Sequence, residues 1–244
     1  MNGQVASLGD RADPERDEVK LDGERLRLQR PDYWLVNKPV GVVTTVRDPE
    51  GRRTILDLLP QQEARLFPVG RLDRDTAGLV ILTNDGDLTQ ALLHPSKEID
   101  REYEVSVKGE LDDRACKRLE RGIRLEDGWT APARVTRVRY DAELERTQLH
   151  LTLREGRKRQ IRRSLRSLGH PVVALRRIRM GPIRLGRLAP GEARRLDAGE
   201  RAALAKLVRR ETRTDSTSRQ RRGNAARKAR PRKGKPGGSR KHPG

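Results

Sequence analysis

The sequence predicts an α+β fold on a largely antiparallel or mixed sheet with flanking helices. Three observations carry that expectation. Several segments alternate apolar and polar residues with the period of a strand, and one continuous apolar run has a strand's length. Two short stretches with helical spacing each stop at a glycine.

Taken in order, the apolar run is Gly78 to Thr83, which reads as a strand buried on both faces. From Glu102 to Lys108, Tyr103, Val105 and Val107 point one way, while Glu102, Glu104, Ser106 and Lys108 point the other. Asp112 to Arg121 reads as a helix stopped by Gly122, with Cys116 as packing filler. Leu149, Leu151 and Leu153 alternate with His150, Thr152 and Arg154 as in a strand. From Lys158 to Leu168, Ile161, Leu165 and Leu168 share one helical face and Gly169 supplies the stop. No internal repeat is present.

Composition narrows the partners. The 244 residues carry 55 Lys+Arg against 35 Asp+Glu, a net charge of +20, which attracts polyanions and points first to nucleic acid. Residues 211–244 hold 12 Lys/Arg and 2 Asp/Glu, so half of the excess sits there. That stretch has almost nothing apolar to offset its ordering entropy and is expected to be a disordered basic tail. It would attract phosphates without regard to sequence, or serve only as a solubilising tail. No apolar run approaches 18 residues, and the N-terminus does not read as a signal peptide, so a cytoplasmic protein with no membrane partner is expected. One cysteine permits no intrachain disulfide, and the four histidines lack metal-ligand spacing, so no metal site is expected.

Three segments hold candidate chemistry. The first, Pro68 to Leu88, places Arg71, Asp73, Arg74 and Asp75 in a loop that runs directly into the buried strand. A loop braced by a rigid strand is a good mount for a reactive side chain, although charges of both signs are ordinarily a solvated ion-pair cluster. In the second, Arg154 to Gly169, Arg159, Arg162, Arg163 and Arg166 lie off the apolar stripe. Such a face contacts phosphates, and an arginine at its edge can hold a nearby carboxylate ionised. In the third, Arg101 to Val105, Tyr103 stands on an apolar strand face in a chain with only 2% aromatics. It is either a core tyrosine or a ring that stacks on an extracted base.

In order and spacing, these segments resemble the RsuA-type branch of the pseudouridine synthases, and most closely its RluB-type members. The resemblance covers Tyr33 to Leu196 and includes NKPVGVVTT, DPEGRRTILDLLP, VGRLDRDTAGLVILTNDGDL, LLHPSKEIDREYEV, RGIRLEDG, EGRKRQIRRSLRSLGHPV and MGPIRLGRLAPGEARRL. It implies the pseudouridine synthase fold and an isomerisation that breaks the bond from ribose C1′ to uracil N1, turns the base, and rejoins it through C5. No atoms are gained, so no cofactor and no metal are implied. Asp73 would be the catalytic carboxylate, acting on the sugar, on the base, or by stabilising charge. Tyr103 would be the active-site tyrosine, and Arg162 would pair with Asp73. Arg71 would fill the RNA stack when the uridine leaves, and Arg159 and Arg163 would contact RNA. Ala77 stands where serine is common, and Arg101 where lysine is common; neither change removes a catalytic group.

The expected organisation is therefore residues 1–30, a remnant of the small RNA-binding domain that precedes this catalytic domain; 31–210, the catalytic domain; and 211–244, the tail. The short front fits either a start inside a longer protein or a naturally short chain. The expected partner is ribosomal RNA, 23S before 16S, and a monomer is the default state. Two other classes compete: a non-catalytic ribosome-assembly protein on the same scaffold, and a cationic RNA chaperone. The first has no need of Asp73, Tyr103 and Arg162, and the second has no need of the Asp73 loop.

Overall fold

The computed structural model describes residues 1–10, 12–13, 16–26, 29–61 and 64–207. The basic tail expected over 211–244 lies outside them. In chain order a small hairpin, β1 (Lys20–Leu21) and β2 (Glu24–Arg25), precedes β3 (Tyr33–Lys38), β4 (Phe67–Pro68) and β5 (Ala77–Thr83). Helix α1 (Gly86–Leu93) leads to β6 (Arg101–Lys108) and α2 (Asp113–Arg121). A second small hairpin, β7 (Arg124–Leu125) and β8 (Gly128–Trp129), is followed by β9 (Arg134–Asp141) and β10 (Arg146–Leu153). Then come α3 (Gln160–Ser167), β11 (Val172–Met180), β12 (Ile183–Arg184) and β13 (Ala193–Arg195), with helical backbone over 198–207.

Nine strands form one mixed sheet in the order β13-β3-β5-β11-β6-β10-β9, with β4 on β5 and β12 on β11. The pairing of β5 with β11 is parallel, Ala77 and Gly78 lying beside Arg176 and Arg177. The other pairings between its strands are antiparallel. Gly78 makes the parallel crossing feasible: its φ is +108°, and a Cβ there would collide with the Arg177 carbonyl. The sheet thus joins at the point where the loop carrying Asp73 enters β5.

The expected strand at Gly78 to Thr83 is β5, buried on both faces. Leu79 and Ile81 pack with Leu88 and Leu92 of α1, while Val80 and Leu82 pack with Val36, Ile55 and Leu72. Each fully buried side chain of this size contributes roughly 1.5–3 kcal/mol. The expected alternations at Glu102–Lys108 and around Leu149–Leu153 are β6 and β10. Their apolar face packs Val105, Val107, Leu149 and Leu151 against Ala115 and Leu119 of α2 and Ile161 and Leu165 of α3. Their opposite face carries charge, with Arg179 Nε donating to Glu102 at 2.7 Å and His150 3.0 Å from the same carboxylate.

Both expected helices are present. Asp112 caps α2, its carboxylate accepting from the Ala115 amide at 2.7 Å, and Gly122 ends it with φ +94°. Helix α3 begins at Gln160, later than the spacing suggests, because Arg159 adopts a left-handed φ of +50° at its N-cap. Cys116 packs against the α2–β6 cluster. Among the described residues, no helix is long and apolar enough to cross a membrane.

Candidate active site

The loop between β4 and β5 is tied down at successive residues. The Thr44 hydroxyl donates to the Leu72 carbonyl at 2.9 Å and accepts from the Leu72 amide at 3.3 Å. The Gly41 amide donates to the Arg74 carbonyl at 2.8 Å, and the Thr76 amide to the Asp73 carbonyl at 3.0 Å. Asp73 therefore stands on a backbone fixed before and after it, while its side chain stays 41% exposed. Beneath the bracket, Lys38 is 0% exposed and donates to the Val42 and Pro39 carbonyls at 2.8 and 3.1 Å. Burial pushes its pKa down to about 8, against the opposing pull of Asp75 and Asp73.

Asp73 opens onto a cavity of about 960 Å³ lined also by Arg71, Tyr103, Arg159, Arg162 and Arg177. The volume is that of a pocket able to enclose a small molecule or an extracted nucleoside. Its apolar lining comes from Leu72, Leu153, Ile161, Leu175 and Met180. Tyr103 touches the clusters on both sides, bridging the β6–β10 core and the β3–β5 core across the cavity.

The arginines are distributed differently from the sequence expectation. Arg162 engages Asp75 and not Asp73. Its Nη2 donates to the Asp75 carbonyl at 2.6 Å, and its Nε lies 3.2 Å from the Asp75 carboxylate, an ion pair without the alignment of a hydrogen bond. Arg159 forks onto the same carboxylate at 3.0 and 2.8 Å and lies 3.7 Å from Asp73. The left-handed turn at Arg159 accompanies this reach, with both arginines crossing from the start of α3 to the Asp73 loop. The arginine hydrogen bonds, with Arg162 adding its charge, hold the Asp75 carboxyl below the usual carboxylate range. Two carboxylates stand two residues apart, and the spacing of the sequence does not decide which of them takes the arginine.

Arg163 is not part of the cavity lining; its Nη2 donates to Asp127 at 2.6 Å. Arg71 is exposed and lines the cavity. Sequence reasoning missed Arg177, only 2% exposed in a central strand, with its Nε on the Leu79 carbonyl at 2.8 Å. It also missed Arg101 as a cavity group, buried enough that desolvation lowers its pKa. The arginines of α3 fall on one helical face, whereas Arg177 sits among other arginines of β11 and no period in the sequence marks it as buried. The site as a whole is the Asp73 carboxylate, with Glu155 also in the lining, a tyrosine and a ring of guanidinium groups around a partly apolar pocket. It suits an anionic ligand with a flat, partly apolar moiety.

Comparison with known proteins bears on the same segments. Residues 32–167 match the RNA pseudouridylate synthase family. A protein of Aquifex aeolicus named as an uncharacterized RNA pseudouridine synthase is 45% identical over 85% of this chain and 84% of its own length. The ribosomal large subunit pseudouridine synthase B of Bacillus subtilis is 39% identical over 79% of each chain. A crystal structure of a pseudouridylate synthase superposes with a TM-score of 0.64 at 30% identity, covering 83% of this chain and 86% of the other. The fold, the matched region and these relatives agree: the chain belongs to the RNA pseudouridylate synthase family.

Proposed function

We propose that the chain isomerises a specific uridine of 23S ribosomal RNA to pseudouridine in the cytoplasm, with Asp73 as the catalytic carboxylate. The observation that carries this reading is the Asp73 side chain, held on a bracketed loop and left accessible at the mouth of a cavity that also holds Tyr103. The name of the Bacillus subtilis relative supports the large-subunit target.

The uridine is hidden in a stacked or paired RNA, so it must leave the stack to enter the cavity, at a cost of a few kcal/mol. Arg71 fills the space it vacates. The bond from C1′ to N1 breaks, the uracil turns against the Tyr103 ring, and C5 bonds to C1′. The C5 proton leaves and N1 gains one, so substrate and product are isomers. Asp73 acts as an anion throughout. Arg159 stands 3.7 Å from its carboxylate, and Tyr103 stacks on the base and passes the C5 proton. Arg162 acts through Asp75 and is a positioning residue: it fixes the carbonyl and carboxylate of the residue two beyond Asp73.

The test is to map pseudouridines by carbodiimide modification and primer extension in ribosomal RNA from a strain lacking the gene. One 23S stop is lost, and is restored by the wild-type chain but not by Asp73→Ala. Loss of a 16S stop instead would move the target to the small subunit. An unchanged map, with purified protein inactive on both RNAs, would contradict the reading.

A further inference from the structure

The β7–β8 hairpin has two residues in each strand and pairs with no other strand of the described residues. A ribbon this short has little stability by itself and needs outside support. The support comes from the basic segment that lines the cavity. Arg157 donates to the Asp127 carbonyl at 3.2 Å and to the Trp129 carbonyl, and Arg163 donates to the Asp127 carboxylate at 2.6 Å. Just beyond the hairpin, the Ala131 amide donates to Glu155 at 2.7 Å. This explains why Arg163 faces away from the cavity.

The hairpin's two faces differ. Leu125 packs against the α2–β6 cluster. Arg124 and Trp129 are cross-strand partners, so they share the other face, and both are exposed. Trp129 is 65% exposed, the most exposed aromatic among the described residues. Among those residues, guanidinium groups lie over the rings of Phe67 and Trp34, whereas none covers Trp129. An uncovered indole beside an arginine, on a ribbon clamped to the cavity wall by Arg157, has the chemistry to take a base on its face and a phosphate at its side.

We propose that Trp129 is a stacking platform for an unpaired nucleobase flanking the target uridine, with Arg124 on the adjoining phosphate. This rests on the reading of the chain as an enzyme acting on RNA, and it adds a residue that selects single-stranded sequence around the site. The platform binds substrate and takes no part in bond making.

The test uses the full chain carrying Asp73→Asn, so that RNA binds without turnover, with an in vitro 23S transcript, a short oligouridylate and a duplex RNA as probes. The transcript and the oligouridylate change the tryptophan emission, the duplex does not, and Trp129→Phe removes the change. Trp129→Ala weakens transcript binding by about 5- to 150-fold, the factor expected for loss of one base–aromatic stack. Trp129→Phe retains most of the affinity. With Asp73 restored, Trp129→Ala raises KM and leaves kcat at saturating RNA unchanged. Unaltered emission together with unaltered affinity in Trp129→Ala would overturn the platform, as would an equal emission change with duplex RNA. If the transcript changes Trp129 emission while the wild-type chain forms no pseudouridine, the platform stands and the catalytic reading falls. Normal pseudouridine formation with a Trp129→Ala chain of wild-type KM does the reverse.

Discussion

Strands β5 and β9 belong to one sheet and have opposite surroundings. In β5, Leu79, Val80, Ile81 and Leu82 are all buried, with a separate apolar cluster on each face. In β9, at the sheet edge, Arg134, Arg137, Arg139, Val138 and Tyr140 are exposed. The difference divides the sheet into two halves. The double-sided half carries the loop whose carboxylate must keep its place, and rigidity there comes from packing on both faces. The single-sided half faces its charge outward, where it can meet a polyanion. Its arginine-rich edge also blunts pairing with other chains.

Substitutions should separate the two halves, beginning with the largest effect. Ile81→Ala opens a cavity in the strand behind the Asp73 loop and should cost about 2–5 kcal/mol, read as a lowered urea midpoint. A loss below the range of surface substitutions would break the comparison. Next is Lys38, buried in the same half of the sheet. Its pKa in the folded chain is about 8, below the ordinary 10.5, so the unfolded chain holds this proton more tightly. Between these values the unfolded state binds more protons, and Lys38 makes stability rise with pH from about 8 toward 10. Wild-type stability should therefore gain on the order of 1–3 kcal/mol relative to Lys38→Met across that window. Parallel urea midpoints against pH would count against a charged, buried Lys38. The smallest effect belongs to the edge strand. Arg139→Ala should change stability by no more than about 0.5 kcal/mol, and a larger loss would mean that β9 is not the solvent-facing edge described.

The same contrast explains what the sequence made legible. Strand β5 is a continuous apolar run, and β6 and β10 alternate cleanly, because burial on two faces or one leaves its period in the residues. Helices α2 and α3 carry their stops at Gly122 and Gly169. Strand β11 carries no such period, since Arg176, Arg177 and Arg179 interrupt its apolar residues. The fold nevertheless places it beside β5, buries Arg177, and uses a carbonyl to satisfy it. Strand β3 ends in Asn37 and Lys38, polar residues that the structure buries almost completely. Such residues depend on tertiary partners that no local pattern announces. At the site, the residue types and segments were readable, and the roles proposed for them follow from the family resemblance. The exchange of arginines, with Arg162 and Arg159 on Asp75 and only Arg159 near Asp73, depends on the left-handed turn at Arg159, which sequence spacing does not encode.

On the function proposed here, the Asp73 carboxylate performs the chemistry while the surrounding guanidinium groups hold the RNA. The most direct measurement is tritium release from 23S transcript labelled at uridine C5, run beside filter binding, for the wild-type chain and Asp73→Asn. Asp73→Asn should keep wild-type affinity with no release above background, because the amide removes the anion and keeps the shape. Release by Asp73→Asn at the wild-type rate would contradict that role for Asp73.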